Sequence, residues 1–429
     1  MHIHIVTLFP EFFESPLGCG LLSRAIEAGI VRFHFHNPRK YTTDAHQSVD
    51  DRPYGGGPGM VMLLDPLVQA LEETDVQTNG QGKTLLMAAA GYKFTQEMAR
   101  SLAGEHSLTI ICGRYEGVDA RLKEIYPLTP VSTGPYVLNG GETAALNLIE
   151  AVCRLIPGFM GHEESGDDES YSHGLLEYPH YTRPPEYRGL KVPEVLTSGN
   201  HVMVERWRRA KSLQETWKMQ PELMAENFFD REDIFILKQL PRKRLGRNLF
   251  LALVHYPVLD KEKKSVAVSL TNLDIHDIAR CSCSYGLGGA YIVTPLKDQK
   301  SLLDEIIAHW THGAGGRSNP HRSTAFRTLV PADSVDDAVA HITKKCGQTP
   351  YLLASSAQGP GDISFRQVNK MLERRPVLLL LGTSQGLSPA ILKKCNGTLP
   401  PLRYADSYNH LSVRMAGAIL IDRILGDLD

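Results

Sequence analysis

Leu108-Thr-Ile-Ile-Cys-Gly-Arg-Tyr-Glu-Gly117 is an apolar run that stops at a glycine-bounded turn. Leu108–Cys112 has the length and composition of a buried strand. Upstream, residues 2–9 read as a short strand followed by a helix that ends near Gly29. Val31, Phe33 and Phe35 then alternate with Arg32, His34 and His36, the period-2 pattern of a strand. Leu85–Ala88 is a further apolar strand, and a helical stretch follows Thr95. Downstream, Thr143–Leu155 reads as a helix stopped by Pro157 and Gly158. Strands alternating with helices predict a parallel α/β sheet.

The deciding pattern returns in Val377-Leu-Leu-Leu-Leu-Gly-Thr-Ser-Gln-Gly386. Each copy has Gly at the strand end and, three residues later, Glu or Gln followed by Gly. Downstream of each an asparagine, Asn139 or Asn409, is expected to begin a helix. A shared site plan for two α/β regions is one reading; chance recurrence of Gly after a strand is the other. Between the regions the composition changes. Glu163, Glu164, Asp167, Asp168 and Glu169 form an acidic, glycine-interrupted loop. Residues 179–194 are rich in Pro and Tyr, and 201–240 read as helical, with Trp207 and Trp217. Pro241-Arg-Lys-Arg-Leu-Gly-Arg247 marks a basic boundary, after which strands are expected near 249–256, 290–294, 351–355 and 377–381. The expected domains are therefore 1–162, 163–240 and 241–429.

The 429 residues suffice for two or three domains, and 42% hydrophobic with 22% charged residues excludes global disorder and coiled coil. A net charge of −2 excludes a uniformly basic coat for nucleic acid, so any RNA or DNA contact must come from local patches; the partner expected is RNA, with no DNA. Seven cysteines without a C-x-x-C pair suggest neither a zinc site nor a disulfide framework. The N-terminus lacks a signal-peptide pattern and no apolar run is long enough for a membrane span, so a cytoplasmic protein with no membrane partner is expected.

Asp50-Asp-Arg-Pro-Tyr-Gly-Gly-Gly-Pro-Gly-Met60 carries glycines that let a backbone approach a ligand, flanked by stiffening prolines. Gly82-Lys83-Thr84 imitates the end of a phosphate-binding loop, but Gln77 stands where that pattern needs Gly. Gly286-Leu-Gly-Gly289 likewise falls short of the dinucleotide fingerprint, and there is no G-x-S-x-G elbow. His2, His4, His34 and His36 share strand faces; a polar sheet face accounts for them, and no metal ligands are assigned.

Over roughly residues 1–240 the chain resembles the bacterial tRNA (guanine-N1)-methyltransferase family, TrmD. The segments that carry the resemblance are the 50–60 loop, Cys112-Gly-Arg-Tyr-Glu-Gly117, Tyr136-Val-Leu-Asn-Gly-Gly-Glu142, Ile156-Pro-Gly158, His180-Tyr-Thr-Arg-Pro184 and Gly199-Asn-His201. The resemblance implies a SPOUT-type trefoil-knot α/β methyltransferase domain followed by a helical tRNA-binding unit, acting as a homodimer. It implies methyl transfer from S-adenosylmethionine to N1 of guanosine 37 of tRNA, 3′ of the anticodon. By resemblance the cofactor lies along Gly113, Glu116, Thr133, Gly134, Pro135, Tyr136, Val137, Leu138, Gly140 and Gly141. Arg154 is implied to stabilise charge on guanine O6, and a carboxylate to take the N1 proton. The family's Asp aligns with Glu169, with Asp168 just before it, so either residue is a candidate base. The chain departs from the family at Ala88-Ala-Ala-Gly91 and Gly134-Pro-Tyr136, which remove Gln and Asp side chains from the cofactor pocket. A magnesium requirement is also expected from the family. Arg206, Arg208, Arg209 and Lys211 around Trp207, with Arg183 and His180 behind them, are candidates for RNA phosphate contacts.

Residues 249–429 resemble a less characterised group of SPOUT-type RNA methyltransferase domains, through Val377–Gly386 and Tyr408-Asn-His-Leu-Ser-Val-Arg-Met-Ala-Gly-Ala418. That resemblance implies a second S-adenosylmethionine pocket at Gly382, Asn409, Leu411 and Ser412, and gives Arg280 a candidate RNA contact. The rival to this two-headed enzyme is a tRNA-binding first domain without turnover, with any activity residing in the C-terminal domain.

Overall fold

The structure, a computed structural model, describes residues 1–160, 169–241, 243–355, 359–403 and 411–426. The chain divides into two compact units, Met1–Lys238 and Gln239–Asp429.

The first unit is built on a five-stranded sheet of β1 (His2–Val6), β2 (Arg32–His36), β3 (Lys83–Lys93), β4 (Ser107–Cys112) and β5 (Leu128–Ser132), in the order β2-β1-β4-β3-β5. Every pairing is parallel. β4 is buried along its whole length because helices cover both faces of the sheet. On one face α4 (Glu142–Cys153) lays Ala145, Leu148, Ile149 and Val152 against Ile3, Ile5, Leu108 and Ile110. On the other, α2 (Leu64–Thr78) packs Leu67, Ala70 and Leu71 against Val6, Leu86 and Ile111. The shorter α1 (Gly20–Glu27) and α3 (Gln96–Ala103) complete the βα alternation. α5 (His201–Met219) and α6 (Arg231–Gln239) occupy the segment read as helical.

The second unit repeats this plan with a six-stranded parallel sheet: β6 (Leu249–Val254), β7 (Gly289–Val293), β8 (Leu329–Ala332), β9 (Tyr351–Ser355), β10 (Val377–Gly382) and β11 (Gly397–Leu399). The order is β8-β7-β6-β10-β9-β11. With the outer β8 set aside, it is the strand order of the first unit, chain position for chain position. Alternate residues of β6 point to opposite cores: Leu249, Leu251 and Leu253 meet α7 (Asn272–Ser284) and α11 (Val413–Leu425) through Ile275, Ile278 and Ile421. Phe250, Ala252 and Val254 meet Ala338 and Ile342 of α9 (Val335–Cys346), while α8 (Lys297–Thr311) and α10 (Phe365–Leu372) join the first core through Leu303 and Val368. No helix among the described residues is long and apolar enough to cross a membrane.

The asparagine expectation needs correction. α4 begins at Glu142 with Gly141 as its N-cap, so Asn139 lies in the loop before it. Asn409 lies outside the described residues, and Ser412 is the N-cap of α11.

Candidate functional site

Parallel strands bring the loops after β4 and β5 to one edge of the sheet. After β4 the chain turns at once: Gly117 N–H donates to Arg114 O at 3.0 Å, with Tyr115 at φ 58° and Gly117 at φ 121°. The glycine-rich 50–60 loop docks on this turn. Glu116 N–H donates to Met60 O at 2.9 Å, and Met62 N–H donates to Gly117 O at 3.0 Å. Gly59, at φ 86°, lies so close that a Cβ there would overlap the Glu116 side chain.

The approach to α4 closes on the same turn. Gly141 N–H donates to Gly113 O at 2.8 Å, and a Cβ on Gly141 would stand 2.7 Å from Cys112 Cα. The Arg114 guanidinium fills the space where Gly140 would carry a Cβ. Thus Gly113, Glu116, Gly140 and Gly141 come together. Thr133–Leu138 leaves the end of β5, where Tyr136 packs on Gly134 and sends its hydroxyl to Thr133 O at 3.3 Å. Pro135 is exposed beside it, and Tyr136, Val137 and Leu138 present apolar surface, Val137 at 87% exposure. Ala88–Gly91 sits inside β3, where the pairing with β5 slips between Met87 and Tyr92. A Cβ at Gly91 would collide with Val131 N. A site edged by glycine backbone fits S-adenosylmethionine held by main-chain groups.

Beneath these loops lies a charge cluster that the sequence reading did not single out. Glu142, 1% exposed, accepts from Thr7 Oγ1 at 2.8 Å and from Arg114 Nε at 3.1 Å. Its Oε2 is 2.9 Å from an Arg114 terminal nitrogen, and that guanidinium lies over Phe9, 4.5 Å from the ring centroid. The signal was present: a glutamate at the first position of a largely apolar helix, on the face that helix buries.

Arg154 is the C-cap of α4, and its guanidinium is ion-paired with Glu169. Both line a cavity of about 540 Å³ together with Arg100, Ile156, Met160 and His173. Glu169 also borders a neighbouring cavity of about 310 Å³ whose wall includes Tyr178, Arg208 and Arg209. Arg100, from α3, is a second cation of this cavity that sequence reasoning missed. Asp168, with the rest of the 161–168 segment, lies outside the described residues.

The basic residues of α5 are not equivalent. Arg209 makes a two-pronged pair with Asp233 at 2.9 and 2.7 Å, and Asp233 is 4% exposed, so this arginine ties α5 to α6. Arg208 instead lies over the Tyr178 ring at 4.8 Å, Lys211 is 5.9 Å from the Trp207 ring centroid, and Arg206 is 3.3 Å from exposed Glu232. Arg183 is exposed, and His180 is 3.6 Å from Glu177.

In the second unit the turn recurs in detail. Gly386 N–H donates to Thr383 O at 3.0 Å, with Ser384 at φ 55° and Gly386 at φ 103°, the same signs as Tyr115 and Gly117. Gln385 N–H donates to Leu259 O at 3.0 Å and Leu259 N–H to Gly386 O at 2.9 Å, so a segment docks on this turn too, but antiparallel, whereas the segment at Met62 runs parallel to its turn. Gly382 ends β10, with the Gly386–Leu387 backbone where its Cβ would be. Leu411 is exposed, and Ser412 Oγ is buried with no hydrogen-bond partner among the described residues. A buried orphan hydroxyl at the head of α11 suits a polar ligand there. Arg414, the second residue of α11, reaches α7 at Asp274 (3.0 Å) and Asp277 (3.2 Å). Arg280 is exposed on α7.

Residues 1–226 match the family described as tRNA (Guanine-1)-methyltransferase TrmD, and residues 248–426 match one described as SAM-dependent RNA methyltransferase. A tRNA (guanine-N(1)-)-methyltransferase of Oleidesulfovibrio alaskensis is 56% identical over 427 residues, covering 100% of both chains. One of Nitratidesulfovibrio vulgaris has the same identity and coverage. One of Pelotomaculum thermopropionicum is 46% identical over 241 residues, 56% of this chain and 96% of its own.

Proposed function

The chain belongs to the tRNA (guanine-1)-methyltransferase TrmD family, and from that premise we propose that its S-adenosylmethionine-dependent methylation of tRNA guanine falls on N1 of guanosine 37. The observation that carries this reading is the Arg154–Glu169 pair on one cavity wall. The Watson–Crick edge of guanine offers an acceptor, O6, beside a donor, N1–H. A guanidinium beside a carboxylate is its complement, so a flipped guanine can replace each residue as the other's partner. Glu169 then accepts the N1 proton, which turns a poor nucleophile into a competent one. Arg154 donates to O6, where negative charge develops. S-adenosylmethionine, when bound, supplies the electrophilic methyl group. Asp168 remains the alternative base, one residue along the same loop.

The glycine-lined loops at 113–117, 133–138 and 140–141 are the proposed cofactor cradle of the trefoil knot. Exposed Tyr136, Val137 and Leu138 give a homodimer partner or the cofactor apolar surface to cover. The organisation proposed is a knot domain over 1–162, a tRNA-binding unit over 163–240 and a second SPOUT-like domain over 241–429, acting in the cytoplasm. Gly382, Asn409, Leu411 and Ser412 are proposed for a second cofactor pocket, whose RNA target is open. Magnesium does not fit the cavity as built: among its described lining residues the one carboxylate is Glu169, already held by Arg154, and no step is routed through the ion. The rival reading of a binding module without turnover is not favoured, because relatives matching the whole chain carry the methyltransferase name.

The test is transfer of labelled methyl from S-adenosylmethionine to two tRNA transcripts, one with guanosine and one with adenosine at position 37. Label on the guanosine transcript alone is expected. Equal label on both would move the activity to another site or to the second unit.

A further inference from the structure

We infer that His2, His4 and His34 form a binding site for a divalent metal ion of the zinc class on one face of the first sheet. A sheet offers three imidazoles to one ion when two stand at i and i+2 on one strand and the third on its neighbour. That is the arrangement here: His2 and His4 share a face of β1, and the parallel register sets His34 of β2 directly opposite His4. One ring nitrogen from each of the three lies within 4.8 Å of the others.

The distances are close to those an ion requires. Zinc–nitrogen bonds of about 2.0–2.1 Å set a tetrahedral N···N edge of about 3.3 Å. His2 Nδ1 and His34 Nε2 already stand 3.1 Å apart, and the His4 and His34 rings stack with centroids 4.5 Å apart. His4 brings in the third nitrogen by turning out of this stack, which exchanges a ring contact for a bond to the ion.

The surroundings select the right form of His4. His36 Nδ1 faces Glu73 of α2 at 3.9 Å, and His36 Nε2 is 3.1 Å from His4 Nδ1. With the His36 proton directed at Glu73, His36 Nε2 accepts from His4 Nδ1–H, which leaves His4 Nε2 with a free lone pair. At 3.9 Å Glu73 acts on His36 through its charge rather than a hydrogen bond, and it favours the proton on the His36 nitrogen that faces it. His4 is 2% exposed, whereas His2 and His34 are half-buried, which leaves a fourth position open to water. Three imidazoles and no carboxylate favour zinc, copper or nickel over magnesium or calcium.

His2 is the first residue of β1, at the sheet end away from the loops proposed for the cofactor. The site is therefore structural: it clamps the edge strand β2 to β1 and takes no part in methyl transfer.

The experiment uses the full untagged chain, stripped with a chelator and titrated with Zn2+ and, separately, Co2+. The expected results are about one zinc retained per chain after gel filtration, the visible ligand-field bands of tetrahedral Co2+, and a Tm raised by zinc. His2→Gln/His34→Gln is expected to lose all three while keeping methyl transfer within about twofold of the parent. If the parent retains no stoichiometric zinc and gives no Co2+ bands, the inference falls, and the cluster is only a stacked polar face. Retention by the double variant equal to the parent overturns it as well, placing the metal elsewhere, for example on a cysteine.

Discussion

The guanidinium of Arg154 closes on the carboxylate of Glu169 across fifteen positions of sequence, joining the end of α4 to the one described residue of the acidic stretch. Each residue has a bland explanation alone: a cation at a helix C-terminus and a solvated acid in a loop. Sharing a cavity wall, they form one unit whose donor and acceptor complement an edge with an acceptor beside a donor.

That geometry predicts how Glu169 variants divide. Glu169→Gln keeps the size and a hydrogen-bonding oxygen but cannot take a proton. Its kcat is expected to fall about 10²- to 10⁴-fold, the usual worth of a positioned general base. The Kd for tRNA should stay within about threefold of the parent. Glu169→Asp, which restores the family's residue, should retain most of kcat. If Glu169→Gln turns over normally and Asp168→Asn does not, the base is Asp168.

What the sequence made legible depended on range. β4 and β10 are six-residue, mostly apolar strands, with Gly just after the first and at the end of the second, so composition and punctuation find them directly. β5 carries Pro130 and ends in polar Ser132, β11 has three residues, and β8 contains Pro331; none stands out against a loop background. The strand order, and with it the match between the two units, rests on pairings between distant segments that no local window contains. The Tyr115 and Ser384 left-handed conformations show why the two turn motifs look alike yet differ in sequence. The backbone path is shared, while the side chains at that position differ, Tyr115 facing Asp50 and Arg39. Glu142 was missed for a related reason: its partners Thr7 and Arg114 are separated from it by 135 and 28 residues.

The Glu142 cluster predicts a stability effect distinct from catalysis. Arg114→Ala leaves a carboxylate that is 1% exposed without its counter-charge, a change that costs about 3–5 kcal/mol. At roughly 2–4 °C per kcal/mol for a unit of this size, the Tm of the first unit should drop by about 10 °C. Arg114→Met with Glu142→Gln should recover a large part of the loss, because no buried charge is stranded. Calorimetry that finds the single variant within about 2 °C of the parent would show that water reaches Glu142 after all.

On α5, charge and role separate. Arg209→Ala strands Asp233, so it should lower stability by about 3 kcal/mol and weaken RNA binding mainly through misfolding. Arg208→Ala and Arg206→Ala break only a ring contact and an exposed ion pair, which contribute little to stability. If those two residues face phosphate, each removal should flatten the slope of log affinity against log salt by about 1, with no preference among tRNA sequences. Unchanged slopes for both would remove this helix face from the RNA-binding surface.

The second unit carries a pH dependence of its own through His255, which follows β6. The ring is 1% exposed, and its Nδ1 has no hydrogen-bond partner among the described residues. Burial lowers its pKa from 6.5 to about 4, against smaller opposing effects from the Leu253 backbone and from Asp274. Asp274 is itself held by Arg414, which limits how far its charge favours a protonated ring. The folded state therefore refuses a proton that the unfolded chain accepts between pH 6.5 and 4. Stability from this group is complete above about pH 6.5 and is lost as pH falls toward 4, a change of about 2–4 kcal/mol. His255→Gln cannot titrate, so urea unfolding of the variant should show a shallower loss over that interval than the parent. Identical slopes for the two proteins would mean that the ring protonates in place, with water or a rearranged Asp274 taking up the charge.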